Sequence, residues 1–258
     1  ELRATVDQAA ARGEAFHALR LEAAGRDSAV VRRLAAALAG AAGVPEGADG
    51  DLKVRVRPSA LDQGWDVLIR TTSRPLSARA WRVANLPGGL NACVAAAIWR
   101  ESGVEPRQRV LNLMCGSGTL LIERALLGPA ARLVGVDLDP AALAATRANA
   151  EAASARIDVI EADATATPFA PEAFDVIVTD PPWGDVHGEA RDLGPLYTAL
   201  LADAARTLVP GGRCVVMSHA LRAFEAALAS SASTWSLTSS LRVFHGGHRP
   251  AIYALRRR

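Results

Sequence analysis

Only three cysteines, two methionines and two tyrosines occur in the 258-residue chain, and Lys53 is its single lysine. Cys93, Cys115 and Cys214 are far apart and odd in number, with no metal-ligand or redox spacing. The five histidines are scattered as well, so we expect no structural metal. No apolar run approaches the roughly 18 residues that a membrane span needs, and no charged-then-apolar leader opens the chain. These absences argue against a disulfide-stapled scaffold and a membrane helix. They lead us to expect a cytoplasmic protein with reduced thiols. The chain opens on Glu1 rather than Met, which leaves open whether it begins partway through a longer protein.

What the chain has in quantity is apolar side chains, half of the total, enough for one large domain with an appendage. Net charge is only +2, but it is unevenly spread. Residues 53–82 hold seven basic and two acidic groups, and residues 241–258 hold five arginines and no acid. Between them, residues 83–240 carry eleven basic and seventeen acidic groups. An acidic body flanked by two basic segments fits a polyanionic partner or an ordinary solvated surface.

Residues 1–27 show no clean period and read as a partial helical lead-in. Ser28 reads as an N-cap for a helix carrying Val31, Leu34 and Leu38, which Gly40 and Gly43-Val44-Pro45 end. Leu52, Val54 and Val56 alternate with Lys53, Arg55 and Arg57, and Trp65, Val67 and Ile69 alternate again. These predict an antiparallel pair with one buried and one basic face. We therefore expect a small α+β module over 1–72, a linker over 73–90 containing Arg74, Arg79, Arg82 and Pro87-Gly88-Gly89, and a larger domain over 91–258. Asn91 can cap a helix running to about Arg100. From Arg109 onward, short apolar strands alternate with helices, which predicts a parallel doubly wound sheet covered on both faces. The last two strands, about Leu237 to Phe244 and Ala251 to Leu255, should close it with an antiparallel edge.

In such sheets ligands bind beyond the carboxyl ends of the strands. The unusual residues gather there: Cys115-Gly116-Ser117-Gly118-Thr119 after one strand, Asp137-Leu138 after the next, Asp163-Ala164 after the third and Asp180-Pro181-Pro182-Trp183 after the fourth. Gly116 and Gly118 clear side chains from a backbone that must approach a ligand. Leu121 stands where a dinucleotide turn has its third glycine, and there is no Gly-Lys-Ser/Thr phosphate loop, so neither a nicotinamide nor ATP is favoured. Asp137 is placed to accept ribose hydroxyls, which points to a nucleoside-type cofactor. Pro181 and Pro182 fix the backbone and offer carbonyls but no amide donors. A carboxylate plus a carbonyl can hold both hydrogens of an exocyclic amine, while Trp183 offers a face on which a base can stack. His187, His219, His245 and His248 read as surface or packing residues.

On these motifs, residues 84–258 resemble the Rossmann-like, S-adenosylmethionine-dependent amino-methyltransferases. Asp180-Pro181-Pro182-Trp183 matches their Asp/Asn-Pro-Pro-aromatic motif, Leu113 to Glu123 their cofactor motif and Gly135 to Pro140 their ribose motif. Gly246-Gly247-His248-Arg249-Pro250 is similar to a turn of the THUMP-linked RNA guanine-N2 methyltransferases, and the 52–69 hairpin to the end of a THUMP module. The resemblance implies a Rossmann-like fold with an antiparallel last strand and a partial THUMP-like module at the N-terminus. It also implies S-adenosylmethionine as cofactor, held by Asn112, Cys115 to Thr119, Asp137, Leu138, Asp163, Ala164 and Asp180. Catalysis would fall to Asp180, Pro181, Pro182 and Trp183, and RNA, most plausibly tRNA, would bind through Arg79, Arg82 and Arg249. The family has Asp where Asn112 stands, and Pro-Phe where Leu113-Met114 stands. Two other readings stay open: an adenine-N6 methyltransferase acting on ribosomal RNA or DNA, and an RNA-binding protein without turnover.

Overall fold

The computed structural model describes residues 2–25, 27–60, 63–182, 192–244 and 247–258. Trp183, Gly184, His187, His245 and Gly246 lie outside the described residues. The chain forms two compact units, Glu1–Ala78 and Arg79–Arg258.

The first unit contains α1 (Leu2–Ala11), β1 (Leu19–Glu22), α2 (Ala29–Ala42), β2 (Leu52–Pro58) and β3 (Trp65–Ile69). Ser28 caps α2, its hydroxyl accepting the Val31 amide at 3.2 Å. Gly43 ends α2 at φ 73°, the left-handed conformation that glycine reaches without a Cβ clash. The expected antiparallel pair is present as β2 and β3. The lead-in differs from the sequence reading, because β1 adds a third strand parallel to β2. Leu19 and Leu21 alternate with Arg20 and Glu22 over only four residues, too short a pattern to stand out. Leu19, Leu21, Leu52 and Val54 are buried against Ala35, Ala39 and Ala42 of α2.

The basic face of this sheet is weaker than its composition suggests. Arg55 donates to Glu22 and Arg57 to Asp66. Arg70 is spent on the carbonyls of Asp51, Thr72 and Ser73.

The second unit continues with α3 (Ala92–Ser102), β4 (Arg109–Leu113), α4 (Thr119–Leu126), β5 (Arg132–Asp137), α5 (Pro140–Ala152) and β6 (Asp158–Glu161). It ends with β7 (Phe174–Thr179), α6 (Gly194–Thr207), β8 (Leu208–Ser218), α7 (Leu221–Ser230), β9 (Trp235–Arg242) and β10 (Ala251–Arg257). Asn91 caps α3 through the Cys93 amide, as its position predicts. The strand order is β6-β5-β4-β7-β8-β10-β9. This is the expected Rossmann-like sheet, parallel except for β10, which runs antiparallel to both its neighbours. One detail is corrected: β10 inserts between β8 and β9, so the antiparallel strand lies inside the sheet and β9 forms the edge. Pro210-Gly211-Gly212 lies within β8. It bulges the strand, whose register against β7 jumps from Leu208 to Arg213.

Strand alternation divides the core in two. Leu111, Leu113, Ile177 and Val216 face α6 and α7, where Tyr197, Leu201 and Phe224 are buried. Val110, Val176, Val178 and Val215 face the other way, onto Ile98 and Trp99 of α3 and Leu120 and Leu121 of α4. Both sheet faces are thus closed by helices, and ligand access is left to the strand ends. The order reverses at β4, with β5 on one side and β7 on the other, which opens a crevice beyond its C-terminal end.

Candidate active site

Beyond the ends of β4, β5, β6 and β7 lies a cavity of about 590 Å³, within the range of small-molecule and cofactor sites. The sequence-predicted residues Gly116, Asp137, Leu138, Ala164, Asp180, Pro181 and Pro182 all line it. A second cavity of about 110 Å³ is lined by Cys115, Gly116, Ser117, Thr119 and Asp180, among others. Segments running from Cys115 to Pro182 are thus brought to one crevice.

Met114, just past β4, is held at φ 53°, a left-handed conformation costly for a side chain with a Cβ. This turn presents Met114 and Gly116 to both cavities. Gly116 is at φ 55°, and a Cβ added there would meet no protein atom within 4 Å. Gly118 has a different reason to be glycine: a Cβ would come within 2.8 Å of Thr146 Cγ2 on α5. Gly135 of β5 is equally confined, since its Cβ would stand 3.0 Å from Cys115 Sγ and 2.9 Å from Leu121 Cδ1. Cys115 is 7% exposed, and burial pushes its thiol up to about 12, so it is an uncharged packing group of the turn.

Asp137 accepts the Gly116 amide at 2.9 Å on one oxygen and the Asp139 amide at 3.1 Å on the other. A carboxylate has about four acceptor sites, so two such bonds fix its orientation and leave capacity for a diol. Leu138, Ala142, Ala162 and Ala164 supply apolar wall near it. Asp163 stands apart from the expectation. It is exposed, does not line either cavity, and spends one oxygen on the Thr165 amide and hydroxyl. That amide holds its carboxyl below the usual range. Asn112 is fully buried in the sheet and lines neither cavity. Its amide donates to the Leu113 and Val178 carbonyls, and its Oδ1 has no hydrogen-bond partner. Trp183 lies outside the described residues, so the aromatic member of the motif has no structural account.

Sequence reasoning missed the wall formed by Leu86, Pro87 and Gly88, which line both cavities. The expected linker over 73–90 is in part this strap, and residues 79–90 fall within the second unit. Asn149 of α5, fully buried, holds it. Its Oδ1 accepts the Val83 and Ala84 amides at 2.9 and 2.8 Å, and its Nδ2 donates to the Ala84 and Ser117 carbonyls at 2.9 and 3.0 Å. One side chain thereby joins the strap to the glycine turn. Thr146, one helical turn earlier, adds a bond to the Gly116 carbonyl at 2.7 Å. The only sequence signal was Pro-Gly-Gly, which marks a turn but not what it encloses.

Two residues expected to contact RNA make internal bonds. Arg79 grips the carboxylate of Glu123 with two bonds, at 2.7 and 3.1 Å, and Glu123 is only 7% exposed. Arg82 donates to the Leu90 carbonyl at 2.7 Å and the Thr119 hydroxyl at 2.8 Å. Both arginines pin the strap to α4. Arg249 is exposed, and its carbonyl accepts from Arg242.

Residues 79–251 match UPF0020, the RMKL-like methyltransferase domain. The chain belongs to the RMKL-like methyltransferase family. This methyltransferase is 35% identical over 232 residues to the tRNA (guanine(6)-N2)-methyltransferase of Thermus thermophilus, covering 88% of this chain and 67% of that protein. It is 35% identical over 138 residues to a tRNA (guanine(10)-N2)-dimethyltransferase of Methanothermobacter thermautotrophicus, covering 52% of this chain and 40% of that protein. Among solved structures, TrmN from Thermus thermophilus matches the whole chain and 78% of its own, with TM-score 0.76 and 31% identity. The enzyme is thus S-adenosylmethionine-dependent, and the donor set fits that cofactor: a fixed carboxylate for a diol, apolar wall for a base and a side-chain-free turn at Gly116. Among the described residues no helix is long and apolar enough to cross a membrane.

Proposed function

We propose that this methyltransferase modifies the exocyclic amine of guanine in tRNA. The observation that carries the reading is the placement of Asp180, Pro181 and Pro182, at the end of β7, in the same cavity as Asp137. S-adenosylmethionine supplies a methyl group made electrophilic by its sulfonium. The lone pair of an aromatic amine is delocalised into the ring, which makes that nitrogen a poor nucleophile. The Asp180 carboxylate and the Pro181 carbonyl would accept its two hydrogens, favouring a pyramidal nitrogen with its lone pair directed at the methyl group. That is orientation combined with electrostatic stabilisation. The nitrogen gains the methyl group as the carbon–sulfur bond breaks, and it releases one proton along the Asp180 hydrogen bond. The target base must leave its stack to reach Asp180, and Trp183 is the residue we assign to stacking on it. Guanine and tRNA are supported by the named activities of the two relatives. Exposed Arg249 is assigned to the RNA backbone, and residues 1–72 to a THUMP-like docking module.

The test is incubation with labelled S-adenosylmethionine and unmodified tRNA, ribosomal RNA or DNA, followed by nucleoside mass spectrometry. N2-methylguanosine from tRNA is the expected product. Methyladenine as the sole product would replace guanine by adenine. Tight cofactor binding with no product on any substrate would mark a binding protein.

A further inference from the structure

We propose that the end of the β9–β10 hairpin, together with the start of α7, is a binding face for the unpaired RNA that flanks the target nucleotide. Phe244 stacks on one base there, and Arg222, Arg242 and Arg249 hold backbone phosphates. The proposal rests on the reading of the protein as an RNA-modifying enzyme and adds where the strand runs.

Strand register sets the place. Val216 of β8 is level with Thr179 of β7, the residue before Asp180. Ser218, at the end of β8, is level with Ala251 of β10, and Ala251 is level with Arg242 of β9. The hairpin end and the Asp180 tip therefore share the ligand edge of the sheet. With β8 and β10 between them, β7 and β9 are roughly 14 Å apart. A base extruded toward Asp180 brings the adjoining strand along this edge.

The hairpin end is braced. The Val243 amide donates to the Pro250 carbonyl at 3.0 Å, and Arg242 Nη1 donates to the Arg249 carbonyl at 3.0 Å. The His219 and His248 rings meet edge-on, with centroids 5.6 Å apart, and tie the turn to the end of β8. On this support Phe244 stands 73% exposed. A single exposed apolar side chain is ordinary. The cations around this one set it apart. Residues 219–224 and 241–250 carry Arg222, Arg242 and Arg249 and no acid, and all three arginines are exposed. Glu225, the next acid along α7, accepts the Tyr253 hydroxyl at 2.7 Å. Cations beside an exposed ring are the combination that single strands take, phosphates on the charges and a base on the ring. A duplex fits less well, because its bases are already stacked on one another.

The test uses the full chain with S-adenosylhomocysteine present. Fluorescence anisotropy reads the binding of a short unstructured RNA, a duplex RNA of equal length, and tRNA. Phe244→Ala should weaken the unstructured RNA by about fivefold to a hundredfold, the range for one stacked base, and the duplex by less than about twofold. Phe244→Trp should bind the unstructured RNA at least as tightly as the parent. Arg222→Gln, Arg242→Gln and Arg249→Gln should each lower the salt slope for that RNA by about 0.7. Calorimetry with S-adenosylhomocysteine should give parental affinity in every variant, which separates a lost RNA face from a misfolded chain. Parental RNA binding and parental KM for tRNA in all these variants would overturn the proposal and leave tRNA methylation standing. Equal weakening of unstructured RNA and duplex by Phe244→Ala would overturn the stacking role. Phe244-dependent RNA binding by a parent that yields no methylated nucleoside would uphold this face and sink the methylation reading instead.

Discussion

Replacing Asn149 by Ala should detach the strap from the glycine turn while leaving every cavity-lining side chain in place. The substitution removes four hydrogen bonds, two to amides of Val83 and Ala84 and two to the carbonyls of Ala84 and Ser117. A buried polar group left unpaired costs about 1–3 kcal/mol. Val83 is exposed and Ala84 half-buried, so water can reach their groups, whereas Ser117 is buried. Counting Ser117 in full and the strap groups in part gives a loss of about 2–4 kcal/mol. For a unit of this size that is a fall in Tm of roughly 5–15 °C. Cofactor affinity should fall separately. A loosened Leu86-Pro87-Gly88 must be ordered again on binding, at about 1 kcal/mol or more per residue, so the three together raise Kd by roughly a hundredfold or more. Asn149→Asp refines the test. It keeps the acceptor for the two amides but sets a carboxylate against two carbonyls, which raises its pKa. The folded form then holds its proton at a pH where the unfolded form has lost it. The variant should therefore approach the parent as pH falls and diverge from it as pH rises. Thermal melts and calorimetry with S-adenosylhomocysteine would measure both effects. Parental Tm and Kd in Asn149→Ala would refute the view that this residue holds the cavity wall.

Asp137→Ala should weaken S-adenosylhomocysteine by about 1–3 kcal/mol in calorimetry, the scale of a lost buried partner. Asp180→Ala should leave that affinity close to the parental value and slow methyl transfer by something like 10²–10³, as read in single turnover on tRNA. The Asp175 carboxylate accepts the amide and guanidinium of Arg109, and the guanidinium bond holds its pKa below the ordinary value. Its contribution is present above about pH 4 and is lost as pH falls through the lower folded value. Asp175→Asn should flatten that acid limb in stability-versus-pH curves, with less than about 1 kcal/mol at stake for so exposed a pair. Alkylation of the folded protein at pH 8 should label Cys93, which is exposed, and spare Cys115 and Cys214, whose thiols burial pushes up to about 12.

The site was legible where chemistry sits at strand ends. An apolar run that stops at Asp137 or Asp180 marks both the strand and the ligand edge, whatever the strand order. Strand order itself was not legible. Nothing local to residues 251–257 says that they insert between β8 and β9, because that choice rests on packing against strands distant in the chain. The basic segments misled for a related reason. A charge count over 53–82 sees Arg79 and Arg82 but not Glu123 or Thr119, about forty positions downstream, which take up their donors. Asn149 was invisible because an asparagine within a helix looks the same whether it faces water or ties two loops together. The strap was read as a linker because it has no period, and a wall built of backbone needs none.

The close approach of Gly135 to Cys115 makes two positions twenty residues apart a single size constraint. A methyl group at 135 has to displace the sulfur or the Leu121 side chain, and either motion disturbs the turn that carries Gly116. The two sites should thus tolerate change as a pair whose combined volume is conserved, with Gly135→Ala acceptable beside Cys115→Gly and costly alone. Their effects on stability should be strongly non-additive. Any redesign of the cofactor turn that varies these positions independently would discard most of its workable combinations.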